Sequence, residues 1–379
     1  MGTYAERLVR SLLSIDPDNT YTLFLVEPNP QIEAANLRKV LIPGYERMFR
    51  NRWWENVLLP RYLRREKIDL FFSPGFVLPV ESVTSLLFDR LPLSSAVNPR
   101  AGSKRTARYV ATVHDVASAV VPETFTPKMR MWQHLFCKNV VAAADRIIVD
   151  SESTSRDFLK FYGGDPRRIS VVSLSVDESF APVKDANVLE SVRRRYSLPA
   201  SFILCVGTIE PRKNVVTLAT AYSRLSEETR EAFPLVFVGG RGWYSESIIS
   251  SIEDLGLGKS VKYVGFAAHA DLPALYSLAT IFVYPSLYEG FGYPPLEAMA
   301  CGTPVISSNK SSLPEVVGDA GIMVDPLDIE ALSANMRRLL DTPSLRSELR
   351  GRGLIRAQLF NWRKTAEKTL EIFRGSFGL

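Results

Sequence analysis

Two carboxylates eight positions apart bracket a loop rich in glycine and proline: Glu289-Gly290-Phe291-Gly292-Tyr293-Pro294-Pro295-Leu296-Glu297. An apolar run precedes this loop and a helical pattern follows it. Gly290 and Gly292 let the backbone approach a ligand closely. The prolines suit a helix start, where a missing N–H costs little. The new helix end offers free N–H groups to an anion or to hydroxyl oxygens. Carboxylates accept strong, charge-assisted hydrogen bonds from sugar hydroxyls. The set therefore suits a polyol phosphate. A sharp turn with solvent-facing acids would use the same residues.

A second strand-to-helix loop, Gly207-Thr208-Ile209-Glu210-Pro211-Arg212-Lys213-Asn214, places two cations at a helix start. That end of a helix favours anions, so cations there are out of place unless something negative lies between them. A bound phosphate would supply it: arginine clamps a diphosphate with two bonds and lysine acts as a point charge. An exposed basic turn is the plain alternative. His114, one of three histidines, ends an apolar strand and is followed by Asp115. Ligands of parallel α/β sheets gather at the carboxyl ends of strands. His114 is therefore either an active-site group or a satisfied structural residue. No histidine–carboxylate cluster suggests a metal site. The Asp-x-Asp pair Asp16 and Asp18, in Asp16-Pro17-Asp18-Asn19, reads as a turn. Arg212, Lys213 and helix ends would stand in for an ion in stabilising a departing phosphate.

Strand-like and helix-like segments alternate along nearly the whole chain, the pattern of α/β folds with parallel sheets. From residue 201 strands are predicted over Ser201–Gly207, Pro234–Gly239, Val261–Phe266, Ile281–Ser286, Thr303–Ser307 and Ile322–Val324. Helices are predicted over Asn214–Leu225, Glu246–Leu255, Leu272–Ala279 and Pro295–Ala300, and three more at roughly 328–341, 344–358 and 361–374. The first half offers a helix over Thr3–Ser14, with Tyr4, Leu8 and Leu12 at a spacing of four. Its strands are Tyr21–Val26, Leu70–Ser73, Tyr109–Val113 and Arg146–Asp150. Arg47–Arg65 reads as a basic amphipathic helix in which Trp53 and Trp54 are packing residues. The polar stretch Asp177–Pro199, with its charged run Arg193–Arg195, marks a domain junction near residue 180. Residues 81–108 make a long connection between two strands and end in the basic run Arg100–Arg108. Connections this long are often functional.

Composition bounds the answer. Apolar residues are 46% and charged residues 23% of the chain, ordinary for a soluble globular protein. No apolar run approaches the ~18–20 residues needed to span a bilayer. No secretory signal is visible, so a cytoplasmic location is expected. Cys137, Cys205 and Cys301 share no metal or redox spacing and read as reduced core thiols. The net charge of +5 is uneven: residues 38–108 hold 14 Lys/Arg against 6 Asp/Glu. Such a field suits an anionic membrane surface or a phosphorylated acceptor, and equally a solvated helix face plus a basic loop. No nucleic-acid-binding motif is present.

Taken together, these loops resemble the retaining GT-B glycosyltransferases of family 4. The similar stretches are GTIEPRKN at 207–214, VGGRGW at 238–243, VKYVGF at 261–266, YPSLYEGFGYPPLEAMACGTPVISS at 284–308, LPEVVGDAG at 313–321 and FNW at 360–362. In the first half, TVHD at 112–115 and VDSESTSRDF at 149–158 fit the same family. The resemblance covers nearly the whole chain except residues 81–108. It implies two Rossmann-like domains facing a central cleft: an acceptor-side domain over 1–180, a nucleotide-sugar-binding domain over 181–360, and a last helix over 361–379 that crosses back to the first domain.

The resemblance also assigns roles. Glu297 matches the acid that holds the nucleotide ribose hydroxyls, and Glu289 the acid near the donor sugar hydroxyls. Backbone amides around Gly290, Phe291 and Gly292 would bind the same sugar, and the strand end at Gly265-Phe266 would face the base. Arg212 and Lys213 match the pair that neutralises the leaving diphosphate. His114 matches the histidine that reaches the donor sugar from the first domain. Replacing Glu289 or Glu297 is expected to cost activity without unfolding. The C-terminal pattern is most similar to that of bacterial mannosyltransferases of surface-polysaccharide assembly. The expected reaction is metal-independent transfer of a hexosyl unit to a saccharide or lipid-linked saccharide. No cofactor is expected beyond the nucleotide-sugar co-substrate, GDP-mannose first and a UDP-sugar second. A GT-B sugar-nucleotide 2-epimerase and a non-catalytic sugar-nucleotide-binding partner protein share the pattern. Family members begin with an apolar strand and a glycine-rich loop before the first helix, and Gly2 and Tyr4 match the end of that loop and the helix start. The strand is missing before them, so Met1 is expected to be an internal methionine of a longer natural protein.

Overall fold

The computed structural model describes residues 2–25, 32–42, 59–79 and 107–377. Short apolar runs closed by glycine, proline or a polar residue become parallel strands. β1 (Tyr21–Leu25) pairs with β2 (Leu37–Leu41). β3 (Leu70–Ser73), β4 (Arg108–Val113), β5 (Arg146–Val149) and β6 (Ile169–Val171) form a four-stranded sheet in that order. A six-stranded sheet holds β7 (Ile203–Val206), β8 (Leu235–Val238), β9 (Val261–Gly265), β10 (Ile281–Tyr284), β11 (Val305–Ser308) and β12 (Ile322–Val324). Its order is β9-β8-β7-β10-β11-β12. The winding therefore reverses between β7 and β10. In open α/β sheets such a switch point opens a crevice at the carboxyl ends of the two strands, where ligands bind. The loops Gly207–Asn214 and Pro285–Gly292 leave β7 and β10 at that crevice.

Strands β7, β8, β10 and β11 are buried along their whole length, as expected of parallel strands covered by helices on both faces. The helix Gly2–Ile15 buries Tyr4, Leu8 and Leu12, the residues spaced by four. It packs against the last helix, Trp362–Gly375. That last helix lies along the first half: Phe373 meets Phe72 with ring centroids 5.2 Å apart, and Gly375 O accepts from Arg146 Nη2 at 3.2 Å. The chain passes from the first sheet to the second between β6 and β7, and returns between the helices Pro343–Ala357 and Trp362–Gly375. Ser175 Oγ donates to Phe360 O at 2.8 Å and ties the crossings together.

Several segments differ from the sequence reading, which has no strand at β2 or β6 and no helix over Pro127–Ala143, Glu152–Tyr162 or Glu227–Ala232. The stretch taken as a polar junction contains a helix, Ala186–Arg195, capped by Asp185 through the Asn187 and Val188 amides. The helix after the Glu289 loop begins at Tyr293, two residues early, with Gly292 as its N-cap. The Asp16 carboxylate of the Asp-x-Asp turn is buried and accepts from Asn19 Nδ2 and Tyr21 Oη at 2.9 and 2.5 Å. Trp53, Trp54 and most of 81–108, including Arg100, Lys104 and Arg105, lie outside the described residues. Among the described residues no helix is long and apolar enough to cross a membrane.

Candidate active site

At the switch-point crevice the two loops are joined by their own backbones. Leu287 N donates to Arg212 O at 2.9 Å. Asn214, held at φ +57°, donates from Nδ2 to Pro285 O at 3.2 Å and to Pro326 O at 2.7 Å. This seam brings Glu289 onto Arg212 and Lys213. Glu289 Oε2 lies 2.7 Å from Arg212 Nη1. Glu289 Oε1 accepts from Lys213 Nζ at 2.6 Å, Ser286 Oγ at 2.6 Å and Tyr284 Oη at 2.9 Å. Arg212 Nη2 reaches Glu210 Oε1 at 2.7 Å.

All four ionisable groups are largely buried, and two acids balance two bases. Burial would raise the Glu289 pKa, but the charges of Arg212 and Lys213 outweigh it and hold the carboxyl down to about 2. This answers the charge mismatch read from the sequence. The negative partner assigned to a bound phosphate is supplied by the chain itself, through Glu289 and Glu210. One donor stays unmatched: Arg212 Nε is buried with no acceptor among the described residues.

Glu297 lies in the helix that follows the loop, half-buried and away from any cation of the cluster. Tyr276 Oη donates to Glu297 Oε2 at 2.7 Å. Burial raises this carboxyl to about 7, against the pull of that hydrogen bond. Phe291 is buried. Gly265 adopts φ +76°, and Phe266 beside it is 82% exposed, a bare aromatic face at the end of β9. Pro294 and Pro295 deprive the helix start of two amide donors, so an anion there would depend on neighbouring amides and side chains.

From the other half, His114 follows β4, Asp150 follows β5 and Pro74 follows β3, all at carboxyl ends. His114 Nδ1 lies 2.7 Å from Asp150 Oδ2, and Nε2 lies 2.9 Å from Pro74 O. Pro74 O can only accept, so Nε2 carries a proton, and Nδ1 and the Asp150 carboxyl share a second one. Burial would lower the His114 pKa, but the Asp150 charge and hydrogen bond outweigh it and raise it. The resemblance implies that this ring reaches the donor sugar. Here both nitrogens are committed within the protein, and a sugar contact would require the Pro74 bond to open. In a ring-nitrogen NMR titration, His114 should lose its proton above the ordinary ~6.5, and Asp150→Asn should bring the midpoint down. A wild-type midpoint at or below 6.5 would contradict the charged pair.

The halves touch at this point. A Cβ on Gly290 would lie 1.8 Å from His114 O, so only glycine permits the approach. Gly292, at φ +121°, has a backbone that strains any larger residue, and Leu313 Cδ2 would lie 2.8 Å from its Cβ. Tyr4 stands edge-on to His114, ring centroids 4.8 Å apart, which brings the helix opened by Gly2 to the same place. The structure therefore gathers Glu289, Arg212, Lys213, Gly290 and the His114 backbone at one point, with Glu297 in the helix that follows and Phe266 at the end of β9, the outermost strand on the β7 side. Glu210, Asp150, Tyr276 and Tyr284 escaped the sequence reading as site residues. Glu210 and Asp150 carried a usable signal, since each is an acid at the carboxyl end of an apolar strand. Among the described residues no cluster of three or more His, Cys, Asp or Glu is placed to hold a metal ion.

Comparison with known proteins agrees with this geometry. Residues 194–354 match the family model for glycosyl transferases group 1, and residues 1–180 that for glycosyltransferase family 4. The chain is 36% identical over 390 residues to O-antigen chain mannosyltransferase B of Escherichia coli, covering 99% of this chain and 95% of that one. It is 37% identical over 233 residues to the serotype-specific mannosyltransferase WbdA of Escherichia coli, covering 61% of this chain and 29% of that one. Sucrose-phosphate synthase from Thermosynechococcus elongatus shares the fold, with a TM-score of 0.74 at 24% identity, covering 99% of this chain and 93% of that one.

Proposed function

The chain belongs to the GT-B glycosyltransferases of group 1 and family 4, and from that premise we propose that it transfers a mannosyl unit from GDP-mannose, with retention, to a hydroxyl of a growing surface polysaccharide. The observation that carries the proposal is the buried Glu289–Arg212–Lys213 cluster at the switch point, one helix start away from Glu297. Each group has a task that matches its setting. Glu297 accepts hydrogen bonds from the ribose diol. The exposed Phe266 stacks on the base. The β- and α-phosphates lie against Arg212 and Lys213, with Arg212 Nε as a donor in reserve. As the glycosidic bond to phosphate breaks, negative charge grows on the leaving oxygen, and fixed cations in a dry site stabilise it without reorganising. These cations make the reaction independent of a metal ion. Glu289 orients both cations and meets the sugar hydroxyls. The mannosyl identity is supported by the near-full-length likeness to mannosyltransferase B.

The test is incubation with GDP-mannose, UDP-glucose or an ADP-sugar, with and without a mannose-terminated oligosaccharide. Extension of the oligosaccharide only with GDP-mannose, with the donor's α configuration kept in the product NMR spectrum, is expected. Transfer from another donor, an inverted linkage, or conversion of the donor without acceptor would each overturn the corresponding part.

A further inference from the structure

The helix Glu152–Tyr162 belongs to the first half, but its opening turn is completed from across the cleft. Glu315 Oε2 accepts the Glu152 N–H and Glu315 Oε1 the Ser153 N–H, each at 2.8 Å. Ser151 Oγ accepts the Thr154 N–H at 3.0 Å. The first amides of a helix lack intrahelical partners, and its dipole draws negative charge there. Two charge-assisted bonds to one carboxylate fix orientation as well as distance.

Glu315 sits in the short helix Leu313–Val317, directly after two serines that hold the Glu289 loop. Ser311 Oγ accepts from Glu289 N at 2.9 Å. Ser312 Oγ is 2.8 Å from Glu289 O and 2.6 Å from Phe291 O. Arg356 anchors the same segment in its own half, through Glu315 O at 2.6 Å and Val316 O at 3.0 Å. The helix Glu152–Tyr162 in turn reaches the loop. Thr154 Oγ1 donates to Gly290 O at 3.2 Å, and Asp157 Oδ2 accepts from Tyr288 Oη at 3.1 Å. The loop is thus gripped between the serines on one side and this helix on the other, and Glu315 fastens the two grips to each other.

We infer that Glu315 is a positioning residue for glycosyl transfer: its carboxylate latches the two halves so that the Glu289–Gly292 loop is held against His114. It touches none of the reacting groups. The nucleotide contacts of Glu297, Phe266, Arg212 and Lys213 lie within the second half and form without the latch; alignment of donor with acceptor needs both halves. Loss of alignment lowers the chemical step, whereas loss of uniform binding raises KM.

This inference rests on the glycosyltransferase reading, and its test separates the two. Glu315→Ala should lower kcat at least ~tenfold while KM for donor and the Kd for GDP stay within about twofold. Glu315→Gln should fall between, because an amide keeps one acceptor and turns a donor toward the second N–H. Small-angle scattering of the GDP-bound proteins, which needs no turnover, should show Glu315→Ala more open than wild type. If Glu315→Ala does not fold, Glu315→Gln is measured in the same way. A wild-type kcat in the variant, a parallel loss of kcat and GDP affinity, or an unchanged scattering envelope would overturn the latch. Absence of transfer by the wild-type protein would instead count against the activity proposed above.

Discussion

Glu289→Ala should destabilise the protein by about 3–5 kcal/mol, because it leaves buried cations without their counter-charge. Lys213 depends on this carboxylate, and Arg212 shares it with Glu210. The sequence reading expected lost activity without unfolding; the dry, paired setting of Glu289 changes that expectation. Urea denaturation of wild type, Glu289→Ala and Glu289→Gln measures the effect. Glu289→Gln should lose less, since its amide oxygen still accepts from one cation. GDP provides a second readout. With the competing carboxylate gone, Arg212 and Lys213 are freer to meet a diphosphate, so GDP should bind Glu289→Gln at least as tightly as wild type while transfer collapses. Binding to the native state also raises apparent stability, so saturating GDP should restore part of what Glu289→Ala loses. Equal stability of Glu289→Ala and wild type would show that the two buried cations do not depend on this carboxylate.

The second half was legible because each strand is a short apolar run with a breaker at its end. The predicted Ser201–Gly207 contains the observed Ile203–Val206, and Pro234–Gly239 contains Leu235–Val238. The helix Ala186–Arg195 was missed because it buries only Val192; an amphipathic signal carried by so few residues disappears beside three arginines. Its Asp185 cap was the available clue. For the site, residue types were readable and pairings were not. Arg212 and Lys213 were seen as cations in search of an anion. That Glu289 fills this need depends on β7 and β10 being neighbours, which no local pattern encodes. His114 was singled out in the same way, yet its partner Asp150 arrives only through the β4–β5 pairing. Chemistry carried within one loop can be read along the chain, whereas a counter-charge delivered from another strand appears only with the sheet order.

Donor affinity should weaken in acid, and Glu297 should be the cause. Burial raises this carboxyl to about 7, so near neutral pH it stands half protonated. A ribose diol donates its hydroxyl hydrogens and needs acceptors, which the ionised carboxylate supplies best. Binding therefore favours the deprotonated form, and below pH 7 the proton must leave before both hydrogen bonds can form. For a single group with a pKa of about 7, the GDP dissociation constant should be roughly tenfold weaker at pH 6 than at pH 8, and level above that. Stability runs the other way. The unfolded pKa is the ordinary ~4.3, so between about 4.3 and 7 the folded state binds more protons, and Glu297 lowers stability as pH rises through that window. Bound nucleotide offsets the cost by giving the carboxylate partners. Glu297→Gln cannot ionise: its GDP affinity should be weaker at pH 8 and keep only the smaller pH dependence that comes from the nucleotide's own terminal phosphate, whose second pKa is about 6. Calorimetric titration of both proteins between pH 6 and 8 decides the matter, because a wild-type affinity that stays flat across this range would remove Glu297 from the ribose.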